Sequence, residues 1–205
     1  RAVVTTDSAV TVIDTRTDCM DDEKLAYFSR LSDNYYVMIE YGLETTNEQT
    51  LMAINRGHTM AQAAAMIRKT ADYGLKTGIH LIFGLPGETR QEMLDRAGII
   101  SALPLTTVKF HQLQIVKGTK MAIQFREQPG MFSLFSLEEY ISFIVSFIER
   151  LNPSFVIERF TGEVPPRFLE SQPWNSLRAD QVALMIEEEM AKQDTWQGKY
   201  FYLKF

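Results

Sequence analysis

The sequence predicts an α/β fold built on a parallel sheet. Short β-branched segments alternate with segments of helical periodicity, and the helical segments open with N-cap residues. Hydrophobic residues make up 45% of the 205 positions, enough for a buried core. Strands separated by helices pair in parallel through right-handed crossovers.

The predicted strands are short and rich in β-branched or aromatic residues, and they cover residues 9–14, 35–40, 77–83, 106–114 and 154–159. Each helix between them is predicted to start at a capping residue: Asp18 or Asp21, Thr46 or Asn47, Thr59, Glu88 or Thr89, and Ser136. A last helix is predicted over 179–191, whereas 118–133 and 161–178 are predicted as loops.

Bulk properties narrow the class of protein. The net charge of −5 argues against indiscriminate nucleic-acid binding, although a local basic groove remains compatible with it. The single cysteine, Cys19, is predicted as a small core residue, and one thiol fits a reducing, cytoplasmic setting. We find no apolar run long enough for a membrane span and expect no membrane partner.

Ligands of parallel α/β sheets bind at the carboxyl ends of the strands, so the residues there are the first site candidates. Among them are Arg16, Glu40, Glu44, His80, His111, Gln112, Arg159 and Thr161. His80 and His111 are predicted to face the same side from neighbouring strands, or else to be core histidines. The spacing of the three histidines fits no compact zinc motif, and we predict no metal ligands.

The segment HLIFGLPGET joins a predicted strand to a helix. Gly84 and Gly87 let the backbone approach a ligand closely, and Glu88 lies near a helix N-terminus, which favours a carboxylate. A tight turn with a good N-cap explains the same residues without a ligand.

The segments EYGLETT and NRGH place Glu44 just beyond a strand and Arg56 across a short helix. A glutamate there can accept hydrogen bonds from a ribose diol, and a guanidinium can bind a carboxylate with two parallel bonds. An ion pair between the two side chains is the alternative. For Arg16, the alternatives are a side chain in the site or a surface arginine in a capping turn.

Taken in order, the segments DTRTDC, EYGLETTNEQTLMAINRGH, HLIFGLPGET, FHQLQIVKGT, SLEEY and WQGKYF resemble radical S-adenosylmethionine (SAM) enzymes of the YhcC type. The resemblance covers nearly the whole chain. It implies a partial (β/α) barrel in which a CxxxCxxC-like loop holds a [4Fe–4S] cluster. SAM bound to that cluster yields a 5′-deoxyadenosyl radical when an external donor supplies an electron.

The resemblance also implies roles for individual residues. Arg56 matches the arginine that binds the SAM carboxylate, and Glu44 matches a ribose contact that is usually Gln. His80 stands where an acidic residue often meets the ribose. Positions 84–88 match the motif near the adenine, while Arg16 and Glu40 match polar positions facing the cavity.

The cluster cysteines are expected upstream of Arg1, so we expect this chain to be inactive alone. Residues 1–153 are expected to form about strands three to six of the barrel, with a C-terminal extension over 154–205. Relatives in this broad group suggest tRNA as substrate, in particular the wobble uridine. A radical SAM enzyme acting on a small molecule and a binding module without redox chemistry are the alternatives.

Overall fold

In a computed structural model of the protein, residues 10–171, 174 and 177–201 are described. They form one five-stranded sheet in the order β1-β2-β3-β4-β5, and every neighbouring pair is parallel. The strands are β1 Val10–Thr15, β2 Tyr36–Glu44, β3 Lys76–Phe83, β4 Thr107–Gln112 and β5 Val156–Arg159. Strand order follows chain order, so each crossover returns to the neighbouring strand, as in a barrel wall.

Seven α-helices occur in the described part of the chain: α1 Asp22–Leu31, α2 Glu48–Ala53, α3 Met60–Asp72, α4 Arg90–Ser101, α5 Lys120–Glu127, α6 Leu137–Ile148 and α7 Ala179–Lys192. Three of them begin with a complete capping box, at Thr59, Thr89 and Ser136. In each box the N-cap side chain and the residue at N3 satisfy two backbone donors reciprocally.

One face of the sheet is apolar and carries the helices. Tyr41, Ile79 and Val108 are register partners on β2, β3 and β4, and all three are fully buried. On α6, Phe143 packs edge-on against Phe83 with ring centroids 4.9 Å apart. Burial of these side chains is the main source of stability for this face.

The opposite face of the sheet is polar. Asp14 pairs in register with Glu40, and His80 pairs with Lys109, so charged side chains form a row across the sheet. Because side chains alternate along a strand, this row projects away from the apolar layer. The fold therefore brings titratable groups from four strands together on one surface.

The structure confirms the predicted α/β class and its open parallel sheet. It selects Asp21, Asn47 and Thr89 as N-caps where the sequence left two choices. The predicted loop at 118–133 is wrong, since it contains α5 and a 3-10 turn at Pro129–Met131. The hydroxyl of Thr119 caps α5. The sequence contains this capping signal, but the turn sequence Pro129-Gly130 that follows the helix led to the prediction of a loop.

Strand boundaries differ from the predicted ones by up to four residues. β2 continues to Glu44 because its last residues still pair with β3 across a bulge. β4 ends at Gln112, and Ala9 at the start of the first predicted strand lies outside the described residues. β5 pairs with β4, so residues 156–159 are part of the sheet. Within the described residues, we find no helix with both the length and the apolar character needed to cross a membrane.

Candidate functional site

Glu44 and Arg56 meet at the carboxyl end of β2. The pairing of β2 with β3 shifts register between Gly42 and Glu44, and Glu44 has a φ of 64°. A non-glycine residue rarely adopts this left-handed conformation, which turns the Glu44 side chain toward the end of the strand. Arg56 Nη2 lies 3.4 Å from Glu44 Oε1 and donates to the Gly42 carbonyl.

Gly42 leaves the space in which the two side chains meet. A Cβ at this position would lie 2.7 Å from Arg56 Nη2 and 2.7 Å from Glu44 Oε1. Any other residue would therefore displace the pair. The sequence EYGLE combines the glycine, the bulge and the carboxylate in five positions.

The pair is largely withdrawn from water, with 15% of the Glu44 side chain and 19% of the Arg56 side chain exposed. Burial raises the pKa of the Glu44 carboxyl, and the Arg56 guanidinium opposes that rise. Arg56 Nε is buried and has no hydrogen-bond acceptor among the described residues. The guanidinium thus keeps a donor for a further partner.

A second group of charges lies on the polar face of the sheet, around Glu40. His80 Nε2 lies 3.5 Å from both Asp14 Oδ1 and Glu40 Oε2. Lys109 Nζ donates to Glu40 Oε2 and lies 3.4 Å from Glu158 Oε2. We call these five residues the Glu40 network.

Glu40 is the buried centre of this network, with 1% of its side chain exposed. Burial alone raises the pKa of Glu40, but hydrogen bonds from His80 and Lys109 outweigh it and hold the pKa at about 2. Burial, followed by contact with Glu40, raises the pKa of Asp14. Glu40 Oε1 is buried without a donor among the described residues, so the network has one acceptor to offer.

His111 extends the polar face toward β4. Its ring centroid lies 5.7 Å from that of His80. Burial lowers the pKa of His111 to about 4, with a further contribution from the charge of His80. A neutral imidazole can donate one hydrogen bond and accept another at neutral pH.

Asp14, Glu40 and His80 also present ligand atoms within 4.8 Å of one another, the spacing of a cation site. The Lys109 ammonium already supplies a positive charge to Glu40 there.

Glu88 is fully buried in an ion pair and is not exposed to a ligand, contrary to its predicted place in the site. Its carboxylate is paired with Arg96 and accepts a hydrogen bond from Thr45, and its side chain has no exposed surface. Buried carboxylates require such partners, since an unpaired charge costs several kcal/mol there. Glu88 thus ties Thr45, just after β2, to Arg96 on α4.

Gly84 and Gly87 both have positive φ, 94° and 80°, as the turn after β3 requires. At Gly84 a Cβ would lie 3.1 Å from the Ser133 carbonyl oxygen, so the close approach is to the chain itself. Their predicted position on the adenine side stays a prediction.

The remaining predicted residues occupy different places. Arg16 forms an exposed ion pair with Asp18, which is the surface alternative. Gln112 exchanges two hydrogen bonds with the backbone of Gly162, and Thr161 is buried beside it. Arg159 is exposed at the end of β5.

Sequence reasoning missed the roles of Asp14, Lys109 and Glu158 in the Glu40 network. Each directly follows an apolar residue of its strand, and that change of polarity is the available signal. It also missed His58, which is buried and whose two ring nitrogens lack partners among the described residues.

The donor set at the end of β2 fits SAM. Arg56 supplies guanidinium N–H groups of the kind that bind a carboxylate, Glu44 supplies acceptors of the kind that bind a diol, and Gly42 leaves room for both side chains. The residues do not fit an iron–sulfur cluster, because Cys19 is the only cysteine and such clusters need several thiolates. No step of the chemistry can therefore be assigned to a cluster on this chain.

Comparison with known proteins identifies the family. Residues 5–97 match the Radical SAM superfamily, and residues 105–192 match the Radical SAM C-terminal domain. Between them the two matches cover most of the chain.

Three relatives show the same likeness. The uncharacterized protein YtqA of Bacillus subtilis is 30% identical over 92% of this chain and 58% of its own length. Protein YhcC of Escherichia coli is 32% identical over 79% of this chain and 52% of its own length. A tRNA uridine(34) acetyltransferase of Dehalococcoides mccartyi is 24% identical over 88% of this chain and 39% of its own length.

Among solved structures, that of Methanocaldococcus infernus Elp3 with an N-terminal deletion superposes with a TM-score of 0.75 at 19% identity. The match covers 91% of this chain and 42% of that one. At this identity the likeness concerns the fold. The chain spans about half the length of the curated relatives it matches.

The two family matches, the YtqA and YhcC relatives and the shared fold agree with one another, and the chain belongs to the radical SAM superfamily, whose members use SAM and a [4Fe–4S] cluster.

Proposed function

We propose that this chain forms the SAM-binding and substrate-facing part of a radical SAM enzyme that modifies the wobble uridine of tRNA. The observation that carries the proposal is the meeting of Glu44 and Arg56 over Gly42, on the same sheet as the Glu40 network. The Glu44–Arg56 pair and the Glu40 network thus share one sheet.

The proposal gives each end of the cofactor a partner. Arg56 binds the carboxylate of SAM through two parallel hydrogen bonds, and Glu44 accepts from the ribose hydroxyls. Glu40 and His80 line the cavity next to it, and Gly84 and Gly87 lie toward the adenine. When bound, SAM would supply the radical chemistry of this superfamily, provided that a [4Fe–4S] cluster held by cysteines other than those of this chain and an external donor delivered the electron.

The Glu40 network has a role of its own in this proposal. Glu40 stays ionised through its hydrogen bonds with His80 and Lys109. His111 stays neutral at physiological pH. The network can therefore orient a substrate hydroxyl or N–H group through hydrogen bonds.

The tRNA part of the proposal is supported by the relative described as a tRNA uridine(34) acetyltransferase. The overall charge of −5 means that tRNA must bind at a local basic surface. We propose a cytoplasmic setting, where tRNA is found and a single thiol stays reduced.

The test uses the complete protein that contains this chain. Nucleosides from tRNA of a strain lacking the gene are compared with those of the parent strain by mass spectrometry. The proposal predicts a missing or shortened side chain on the wobble uridine. Restoration by the wild-type gene, but not by the Arg56→Ala gene, is expected as well, and unchanged wobble nucleosides contradict the proposal.

A small-molecule substrate is the second candidate. It is favoured by a cavity of about 360 Å³ bounded by Thr161, Gly162 and Arg178, which is of the size that small ligands occupy. The two candidates differ in salt dependence, because tRNA binding by the complete protein would weaken steeply as salt is raised.

A further inference from the structure

A cavity of about 360 Å³ opens beyond the ends of β4 and β5, away from the Glu44–Arg56 pair. Its walls come from the end of β4, from residues 161–166 after β5 and from the start of α7. Ligands of parallel α/β sheets bind at this edge, and the volume lies within the usual range for small ligands. We call it the β4–β5 cavity.

Hydrogen bonds hold the walls of the β4–β5 cavity in place. Gln112 Nε2 donates to the Gly162 carbonyl at 3.2 Å, and Gly162 N donates to Gln112 Oε1 at 3.0 Å. Glu163 accepts a hydrogen bond from Ala179 N at the start of α7. A cavity with fixed walls loses little affinity to ordering when a ligand enters.

The charges of the lining balance. Its one arginine, Arg178, is paired with Asp180 at 2.8 Å, and its one carboxylate, Glu163, is engaged at the α7 N-terminus. Gln114 adds an amide and Thr161 a hydroxyl to an otherwise mostly apolar wall. Such a lining suits an uncharged ligand that carries hydrogen-bonding groups on one edge.

An anchored indole forms one wall. Trp174 Nε1 donates to the Phe135 carbonyl at 3.0 Å, and its ring lies against Tyr140 with centroids 4.9 Å apart. Trp174 remains half-buried, so part of its surface faces the cavity. A fixed aromatic wall favours a planar ring that stacks on it.

The β4–β5 cavity also touches the polar face of the sheet. A Cβ on Gly162 would lie 2.6 Å from His111 Nδ1, so the cavity wall rests directly against that imidazole. His111 in turn packs beside His80 of the Glu40 network. A ligand in the cavity therefore lies close to His111 and, through it, to the Glu40 network.

We propose that the β4–β5 cavity binds the base of the substrate nucleoside, an uncharged uracil-type ring stacked on Trp174. Its alternating carbonyl and N–H edge is directed to Gln114 and Thr161, whose groups both donate and accept. The identity of the ring rests on the proposed function, whereas the binding of a planar uncharged heterocycle rests on the cavity alone.

The two tryptophans of the chain give a matched test, since Trp174 lines the cavity and Trp196 is exposed elsewhere. Uridine is titrated into the full chain while indole fluorescence is followed. In the Trp196→Phe variant we expect saturable quenching, and in the Trp174→Phe variant only a linear collisional decrease. Saturation in both variants, or in neither, overturns the inference.

Ligand-observed NMR provides the second measurement. We expect Trp174→Ala to weaken uridine binding about tenfold or more, the range for losing one stacked base. Trp196→Ala is the control and should bind like wild type, and unfolding curves show whether each variant is folded. Equal affinity in the two variants overturns the inference.

The outcomes separate this inference from the proposed function. Uridine binding at Trp174 together with unchanged cellular tRNA supports the cavity and contradicts the tRNA proposal. Altered wobble nucleosides together with no uridine binding at Trp174 support the tRNA proposal and overturn the cavity assignment.

Discussion

Arg56 Nη2 and Glu44 Oε1 face each other across 3.4 Å, above a glycine whose missing Cβ leaves room for both. The sequence admitted two explanations of this pair, an internal ion pair and a cofactor clamp. The structure shows the ion pair, and the buried Arg56 Nε has no acceptor among the described residues. Experiments on the complete protein can separate the two.

We expect Arg56→Ala in the complete protein to weaken SAM binding by about 1–3 kcal/mol, the cost of a lost charged hydrogen bond. Isothermal titration with SAM measures the change. Arg68→Ala is the control, because Arg68 is an exposed arginine on α3 that contacts only a backbone carbonyl. Unchanged SAM affinity in Arg56→Ala would show that the ion pair is purely structural.

Gly42→Ala should weaken SAM binding about tenfold, comparable to losing one charged hydrogen bond, while changing the melting temperature little. The new methyl group displaces the side-chain ends of Arg56 and Glu44 and not the backbone. The backbone can therefore keep its conformation, whereas the two side chains lose their positions. Gly130→Ala is the control, since a Cβ there meets no atom within 4 Å. A large loss of stability without an effect on SAM would contradict this prediction.

The depressed pKa of Glu40 predicts a pH dependence of stability. A carboxylate whose folded pKa is about 2, against an ordinary 4.5, stabilises the fold above the ordinary value and loses that contribution as the pH falls toward 2. We expect the free energy of unfolding to fall over this window. Urea denaturation at a series of pH values measures this free energy. The Glu40→Gln variant should lose less stability over the window than wild type, whereas the control Glu187→Gln, at an exposed position, should lose as much.

Removing the Lys109 ammonium leaves the Glu40 carboxylate buried without its principal cation. We expect Lys109→Met to destabilise the fold by about 3–5 kcal/mol, and Glu40→Gln to offset much of that loss in the double variant. Denaturant unfolding of the four proteins gives the coupling energy. Additive effects would mean that the two side chains do not interact in solution.

Breaking the buried ion pair between Glu88 and Arg96 should also destabilise the fold. Glu88→Ala leaves a guanidinium with 1% exposure unpaired and should cost about 3–5 kcal/mol of stability. The exposed pair of Lys192 and Glu189 is the comparison, and Lys192→Ala should cost less than about 1 kcal/mol. Thermal unfolding of both variants tests the contrast.

The fold was predictable because its signals are local. Short segments rich in β-branched or aromatic residues located all five strands. The caps at Thr59 and Ser136 gave the starts of α3 and α6. α5 was missed because a short amphipathic helix next to Pro129 and Gly130 resembles a turn-rich loop. Its tertiary contacts decide its conformation, and they are not visible in the sequence.

The site was predictable only in part, since it depends on register and side-chain direction. Glu44 and Arg56 lie twelve positions apart. Their contact could be predicted because Glu44 lies at a strand end and only one short helix separates it from Arg56. The Glu40 network joins residues from five strands, and the pairing of these strands, such as Asp14 with Glu40 and His80 with Lys109, reveals it. Glu88 is buried because its carboxylate pairs with the buried guanidinium of Arg96, eight positions later, and this pairing is not visible in the sequence.

The left-handed backbone at Glu44 has an evolutionary consequence. Glycine or asparagine would occupy this conformation at lower cost than glutamate, so a population of variants screened for thermostability alone should drift toward them. Screening the same population for activity should keep an acceptor side chain. The difference between the two outcomes would measure how much folding stability the protein gives up to hold a carboxylate at this strand end.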